Sequence, residues 1–197
     1  MLLRLGEYSD KHVPGDEILI TDFTNQSGIG FDLLPFELID RRRLSPAAAG
    51  LSFLPFTLGV ALLSRFFGRL ADTFGARRLI VVGALGASTT YVWMALAQQA
   101  DLALGVIAPQ ILLGISFAVL VAPLTASVMS SVAKSDEGLA SGINNAASRV
   151  AQLAGVALAA GLGALNAGWR WGFLIAAALS AAGALVTAQL ALKQHSA

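Results

Sequence analysis

Residues 44–64, 79–100 and 171–192 contain no Asp, Glu, Lys or Arg. Each run is long enough to cross the hydrocarbon core of a bilayer as a helix, which takes about 20 predominantly apolar residues. A water-soluble fold is thereby excluded. Lipid offers the backbone no hydrogen-bond partner, so the spanning state is helical rather than an open sheet. Composition agrees: 56% of the residues are hydrophobic and 13% charged, and mean hydropathy is +0.71. Soluble domains carry roughly 25% charged residues.

Several function classes fall away at once. The balance of 13 Lys and Arg against 12 Asp and Glu argues against a nucleic-acid footprint. With no Cys, the chain has no disulfide, iron–sulfur cluster or Cys-ligated zinc. His12 and His195 lie in hydrophilic ends and are not credible metal ligands. No phosphate-cradling G-x-x-x-x-G-K-[ST] run is present, and the membrane segments contain neither a Ser/His/Asp set nor a carboxylate pair. The chain therefore reads as a non-enzyme without cofactor or metal.

The expected fold is an all-α integral membrane bundle of five full transmembrane helices and one partial helix. Residues 1–27 form a polar segment, read either as a solvated cytosolic tail or as a non-native, disordered start; residues 28–197 form the bundle. Residues 28–39 are apolar but cover only about 18 Å, roughly half a bilayer, like the tail end of a helix whose beginning is missing. A charged loop with Asp40, Arg41, Arg42 and Arg43 follows and ends in the Ser45-Pro46 turn signal. The full helices are expected at about 47–70 (broken by Pro55), 79–98, 102–132, 139–165 and 169–192. The segment 102–132 gives about 46 Å of helix, more than a membrane needs, so Pro109 and Pro123 kink it or its ends project.

The fourth full segment carries the most polarity. At 100° per residue, Ser141, Asn145, Ser148, Arg149 and Gln152 fall on one face, with Asn144 at its edge and Gly155, Ala159 and Gly163 continuing it. Lipid disfavours such a face, which should meet other helices or a wet cavity. A central Arg costs about 2.5–3.5 kcal/mol on insertion scales unless solvated or paired. Arg149 with Asn145 and Gln152 thus reads either as a lining of a substrate pathway or as an internal structural pair. On the third full segment Gln110, Gly114, Val121 and Thr125 share a face. Gln110 and Thr125 read as substrate contacts or as members of interhelical hydrogen bonds. The second and fifth segments, with little polarity in their middles, read as lipid-facing or peripheral.

The connection between the first two full helices, residues 71–78, reads as a tight hairpin in which Gly75 ends a helix and Asp72 meets a helix N-terminus or pairs with Arg77 or Arg78. Its sequence, Gly68-Arg69-Leu70-Ala71-Asp72-Thr73-Phe74-Gly75-Ala76-Arg77-Arg78, resembles the G-x-L-A-D-x-x-G-x-R-R signature of the major facilitator superfamily. Two more stretches fit. Ser45-Pro46-Ala47-Ala48-Ala49-Gly50-Leu51 resembles that family's S-P-x-x-A-G-L helix start, and residues 137–145 resemble the G-x-A-S-G-x-x-N segment of its 14-helix drug:proton antiporters.

The resemblance implies the C-terminal half of such a transporter, truncated. It implies transport of a small amphipathic substrate with the proton as coupling ion, and coupling residues mainly in the missing N-terminal half. Gly68, Asp72, Gly75, Arg77 and Arg78 would form a gating turn, and Gln110, Thr125, Asn144, Asn145, Arg149 and Gln152 would line the substrate pathway. The expected partners are the lipid bilayer, the substrate and the missing half. The turn and the C-terminus would be cytoplasmic in a bacterial-type plasma membrane. That side would then hold Arg65, Arg69, Arg77, Arg78, Lys134 and Lys193 against Arg41, Arg42, Arg43 and Arg170, a small positive-inside excess. The alternative is a non-transporting truncated membrane protein or a helical partner subunit.

Overall fold

The computed structural model describes residues 29–130 and 168–194, together with positions 138, 142, 145, 146, 149, 150, 153, 154, 156, 157 and 161. Among these residues the chain is helical and has no strand. Four of the described helical stretches, Pro46–Phe74, Ala76–Gln99, Ala103–Leu124 and Trp169–Gln189, are long and apolar enough to cross a membrane. The expected helix over 139–165 lies mostly outside the described residues, as do residues 1–27.

The partial helix, α1 (Ile29–Phe36), runs straight into a π-helical turn, Glu37–Arg41. Asp40 and Arg41 are therefore helical, and the expected charged loop shrinks to the stretch after Arg41. Arg43 there adopts a positive φ of 57°. Ser45 then caps α2 (Pro46–Leu51): its Oγ accepts from the Ala48 N–H at 3.3 Å, and Pro46 supplies a first helical position that needs no N–H. The chain breaks at Ser52 and Phe53, and α3 (Leu54–Phe74) begins with Pro55 in its first turn. Proline has no N–H to donate back and disfavours helix in the residue before it, so the break falls where the sequence places it.

Only Gly75 separates α3 from α4 (Ala76–Leu96). The expected turn over 71–78 is thus one residue long. Ala71 to Phe74 finish one helix and Ala76 to Arg78 start the next. Gly75 has φ 85° and ψ 132°, a backbone state that a side chain would strain. After α4 a 3-10 turn, Ala97–Gln99, leads to a π turn, Ala103–Ile107, and then α5 (Ala108–Ser130). The π turn sits immediately before Pro109, whose missing N–H loosens the local helical register. Pro123 is accommodated inside α5. The last described helix, α6 (Gly168–Gln194), overruns its expected ends by one residue at the start and two at the finish.

Packing is centred on α4, which lies between α5 and α6; α3 packs on the other side of α5, and α1 against α6. The buried face of α4 is Leu79, Ile80, Gly83, Ala84, Ala87, Thr90, Tyr91, Met94 and Ala95, the 3.6-residue recurrence of a helix with one covered side. Its other side exposes Val82, Leu85, Val92, Trp93 and Leu96. The expectation of lipid-facing or peripheral second and fifth segments fits only their outer faces, because α4 is the centre of the packing and the inner faces of both helices build the core. One cluster joins Leu33, Leu34, Leu38, Ala49, Ala87, Tyr91, Met94, Leu113 and Phe173, and a second joins Ile80, Ala84, Leu120, Leu124 and Ala184.

Glycines set the helix spacing. A Cβ on Gly114 of α5 would lie 2.7 Å from the Phe56 carbonyl oxygen of α3, and one on Gly59 would lie 3.2 Å from the Gly114 backbone. On the other side, a Cβ on Gly83 of α4 would meet the Ser116 carbonyl oxygen at 2.8 Å and the Leu120 N at 2.9 Å. In lipid, where no hydrophobic force drives one helix onto another, such small-residue crossings supply the van der Waals contact that holds a bundle together. The tryptophans mark one end of it. Trp93 lies near the finish of α4, and Trp169 and Trp171 at the start of α6, with Trp169 stacked on Phe36 at a centroid separation of 6.5 Å. This is an aromatic belt position.

Candidate functional site

The hairpin between α3 and α4 brings the gating-turn candidates together by chain continuity. Gly68 faces α5, where a Cβ would make an ordinary 3.7 Å contact with Ala122 Cβ. Asp72, Gly75 and Arg78 are exposed, and Arg77 is half-buried. Asp72 lies in the last turn of α3, and Arg77 and Arg78 in the first turn of α4, on either side of Gly75. The turn presents its charges to solvent or headgroups at one membrane face.

The polar fourth segment is seen only in part. Gly138, Gly142, Asn145, Ala146, Arg149, Val150, Leu153, Ala154, Val156, Ala157 and Gly161 are helical and exposed. At 100° per residue these positions cover about half of a helix circumference. Asn145 and Arg149, four residues apart, are stacked on one edge of that open face, while Leu153 is 71% and Val150 60% exposed beside them. Polar and apolar side chains thus adjoin on this exposed face. Asn144 and Gln152 lie outside the described residues, and Thr125 is placed only as part of α5.

Gln110 is set apart from that surface. It lies on α5 between Val106 and Leu113, one turn either way, both members of the larger core cluster. Its relative exposure is 0%, and neither its Oε1 nor its Nε2 has a hydrogen-bond partner among the described residues. The interhelical hydrogen bond expected for it is absent. Several buried hydroxyls are satisfied within their own helices: Thr90 donates to Gly86 O, Ser116 to Leu112 O and Thr187 to Gly183 O, at 2.8–2.9 Å. An unpaired buried amide costs about 1–3 kcal/mol; Gln110 carries that cost at both side-chain polar atoms, and Gln98 at its buried Nε2.

A polar cluster that sequence reasoning did not single out lies at the tryptophan end. Glu37, 3% exposed, accepts at a single oxygen, Oε1, from Arg41 Nε at 3.0 Å and Arg42 Nε at 3.0 Å. Arg41 Nη2 reaches the same oxygen and the Gln98 carbonyl, each at 2.5 Å. Arg42 Nη1 donates to the Ala100 carbonyl at 3.1 Å. The available signal was an acidic residue four before an Arg inside an apolar stretch, the spacing of a helical ion pair.

These features define a class before they define a family: a polytopic α-helical membrane protein whose helices cross at glycines and whose polar edge is exposed on one side. Comparison with known proteins takes the second step. Residues 18–195 match the sequence model of the Major Facilitator Superfamily, and the chain belongs to that family. It is 31% identical over 164 residues to the lincomycin resistance protein of Streptomyces lincolnensis, covering 82% of this chain and 34% of that protein. It is 30% identical over 128 residues to the multidrug resistance protein Stp of Mycobacterium tuberculosis strain H37Rv, covering 65% of this chain and 23% of that one. The chain thus spans about a third or less of the length of the curated relatives it matches.

Proposed function

We propose that this chain is the C-terminal half-bundle of a drug-efflux transporter that moves small amphipathic compounds across a bacterial-type plasma membrane, with the proton as coupling ion. Its contribution is one wall of the substrate pathway, drawn from Gln110, Thr125, Asn144, Asn145, Arg149 and Gln152, and one gating turn, Gly68 to Arg78. The observation that carries the reading is the open helical edge bearing Asn145 and Arg149. Lipid disfavours a polar helical edge within an apolar spanning segment, so this edge is better placed toward other helices, and an N-terminal bundle would supply them. The resistance named in both relatives supports a drug-sized substrate. The cytoplasmic placement of the Gly75 turn and of the C-terminus is supported by the excess of Arg and Lys on that side.

The test is Arg149→Ala in the full-length transporter context, with efflux of a fluorescent amphipathic dye measured alongside membrane abundance. Efflux should fall by about tenfold, the equivalent of 1.4 kcal/mol, at near-normal abundance. Equal losses of both would assign Arg149 to folding. A second reading, a non-transporting partner subunit, draws on the partial coverage of the relatives. It requires the 197-residue chain alone to co-purify with a separately expressed helical bundle without restoring efflux.

A further inference from the structure

The Glu37 cluster is built by the π turn. In an α-helix a residue five positions on points well away from residue i, whereas i→i+5 bonding brings positions four and five back over it. Glu37 therefore has both Arg41 and Arg42 astride its carboxylate. The two guanidiniums reach onward to Gln98 and Ala100, at the end of the 3-10 turn that follows α4. Two cations face one carboxylate, and the surplus positive charge rests on carbonyls at a helix C-terminal end, where the backbone carries partial negative charge. Gly105, in the π turn before α5, leaves the room: a Cβ there would lie 2.5 Å from Arg42 Nη2 and 3.0 Å from the Ala97 carbonyl oxygen. Three separate features of the sequence, the Glu37–Arg41–Arg42 spacing, the π register and a glycine more than sixty residues away, converge on one contact.

We propose that Glu37 is a positioning residue. Through Arg41 and Arg42 it clamps the end of α1 to the α4–α5 connection, making that end of the half-bundle a single rigid body that stays closed while the remaining helices move. Its place in a transport cycle rests on the function proposed above; the rigidity itself does not.

The test uses the 197-residue chain in lipid nanodiscs, which contains no native Cys to compete with introduced labels. Nitroxide pairs are placed at Asp40→Cys with Gln99→Cys across the clamp, and at Thr73→Cys with Gln189→Cys at the far end, all exposed positions. Dipolar electron paramagnetic resonance then gives the distance distribution of each pair. The clamp pair should show one narrow distance. Glu37→Gln should roughly double its width, since an unpinned turn samples local openings, and should leave the far pair unchanged. Gly105→Ala, which keeps every charge and crowds Arg42 Nη2 most closely, with the Ala97 and Ala100 carbonyl oxygens next, should widen the same pair and guards against a misfolded Glu37→Gln.

A clamp pair already broad in the native chain, or as narrow in both variants as in the parent, overturns the proposal. Equal widening of the far pair also overturns it, because the cluster would then be a general stability element. The measurement needs no substrate. A chain that transports nothing still reports on the clamp, and a failed clamp leaves the efflux test of Arg149 standing.

Discussion

Replacing Gly114 by Ala tests whether the α3–α5 crossing holds the bundle at the spacing described. The added methyl would lie 2.7 Å from the Phe56 carbonyl oxygen and 3.0 Å from Phe56 Cα. A relaxed carbon–oxygen contact sits at about 3.3–3.6 Å, so the helices must part by about 0.6 Å or more at their closest point. Gly59, whose own Cβ position faces the Gly114 backbone at 3.2 Å, leaves no slack on the other side. Overpacking of this kind costs about 1–3 kcal/mol, while Ala in place of Gly in a helix interior returns up to about 1 kcal/mol.

Gly68→Ala isolates the first quantity from the second. Its methyl would make only a 3.7 Å contact with Ala122 Cβ in the same helix pair. The propensity gain is common to both substitutions, so the difference between them is the overpacking cost, about 1–3 kcal/mol. The assay is unfolding by sodium dodecyl sulfate in mixed micelles, followed by circular dichroism. Gly114→Ala should unfold at lower detergent fraction than the parent and Gly68→Ala at an equal or higher one. If Gly114→Ala is as stable as Gly68→Ala, the crossing is wider than described and the packing argument fails.

Three further outcomes follow from individual contacts. Gln110→Met keeps the side-chain volume and removes two unpaired polar atoms, so stability in the same assay should rise by about 1–3 kcal/mol; a loss of that size would mean the amide is paired. Arg43→Gly relieves a positive φ of 57° and should gain about 0.5–1 kcal/mol after the extra chain entropy of glycine is subtracted, with no gain refuting the strain. Ser88→Ala deletes the 2.8 Å bond from Ser88 Oγ to the Ala177 carbonyl between α4 and α6. It should cost about 0.6 kcal/mol, the usual worth of an interhelical bond in a membrane, and a cost several times larger would give that bond a weight the geometry does not support.

The spans were legible because they depend on one local property, the absence of charge over a bilayer thickness. The α6 ends and the break beside Pro55 followed from residues adjacent to them in sequence. The one-residue turn at Gly75 was less so. Composition near Asp72, Arg77 and Arg78 suggests a longer loop, and only the backbone shows both helices continuing to either side of the glycine. Gln110 exposes a limit of wheel arguments. Its face was found, but a wheel says which residues share a side and not whether that side meets a ligand, lipid or another helix. The Glu37 cluster was hidden for a different reason. Its second arginine reaches the carboxylate only in π register, and its carbonyl partners lie at Gln98 and Ala100, far away in sequence.

Where polarity crosses between helices determines which parts of this bundle can slide. Among the described residues most side-chain hydroxyls bond within their own helix, as Thr57 does to Phe53 O and Thr89 to Leu85 O. Such bonds travel with the helix and resist nothing when it shifts. Between α3 and α5, Gly59, Gly114 and Gly68 face backbone or small side chains, and Phe56 meets Phe117 edge-on at a centroid separation of 5.4 Å. Between α4 and α6 a hydrogen bond from Ser88 adds direction. At the end of α1 there are six charge-assisted bonds, counting those to Glu37 and those to the Gln98 and Ala100 carbonyls, a class stronger and more directional than neutral bonds. Among the described residues the polar fastening is therefore concentrated at the tryptophan end. For the function proposed above, that arrangement keeps the end of α1 held while other helices move.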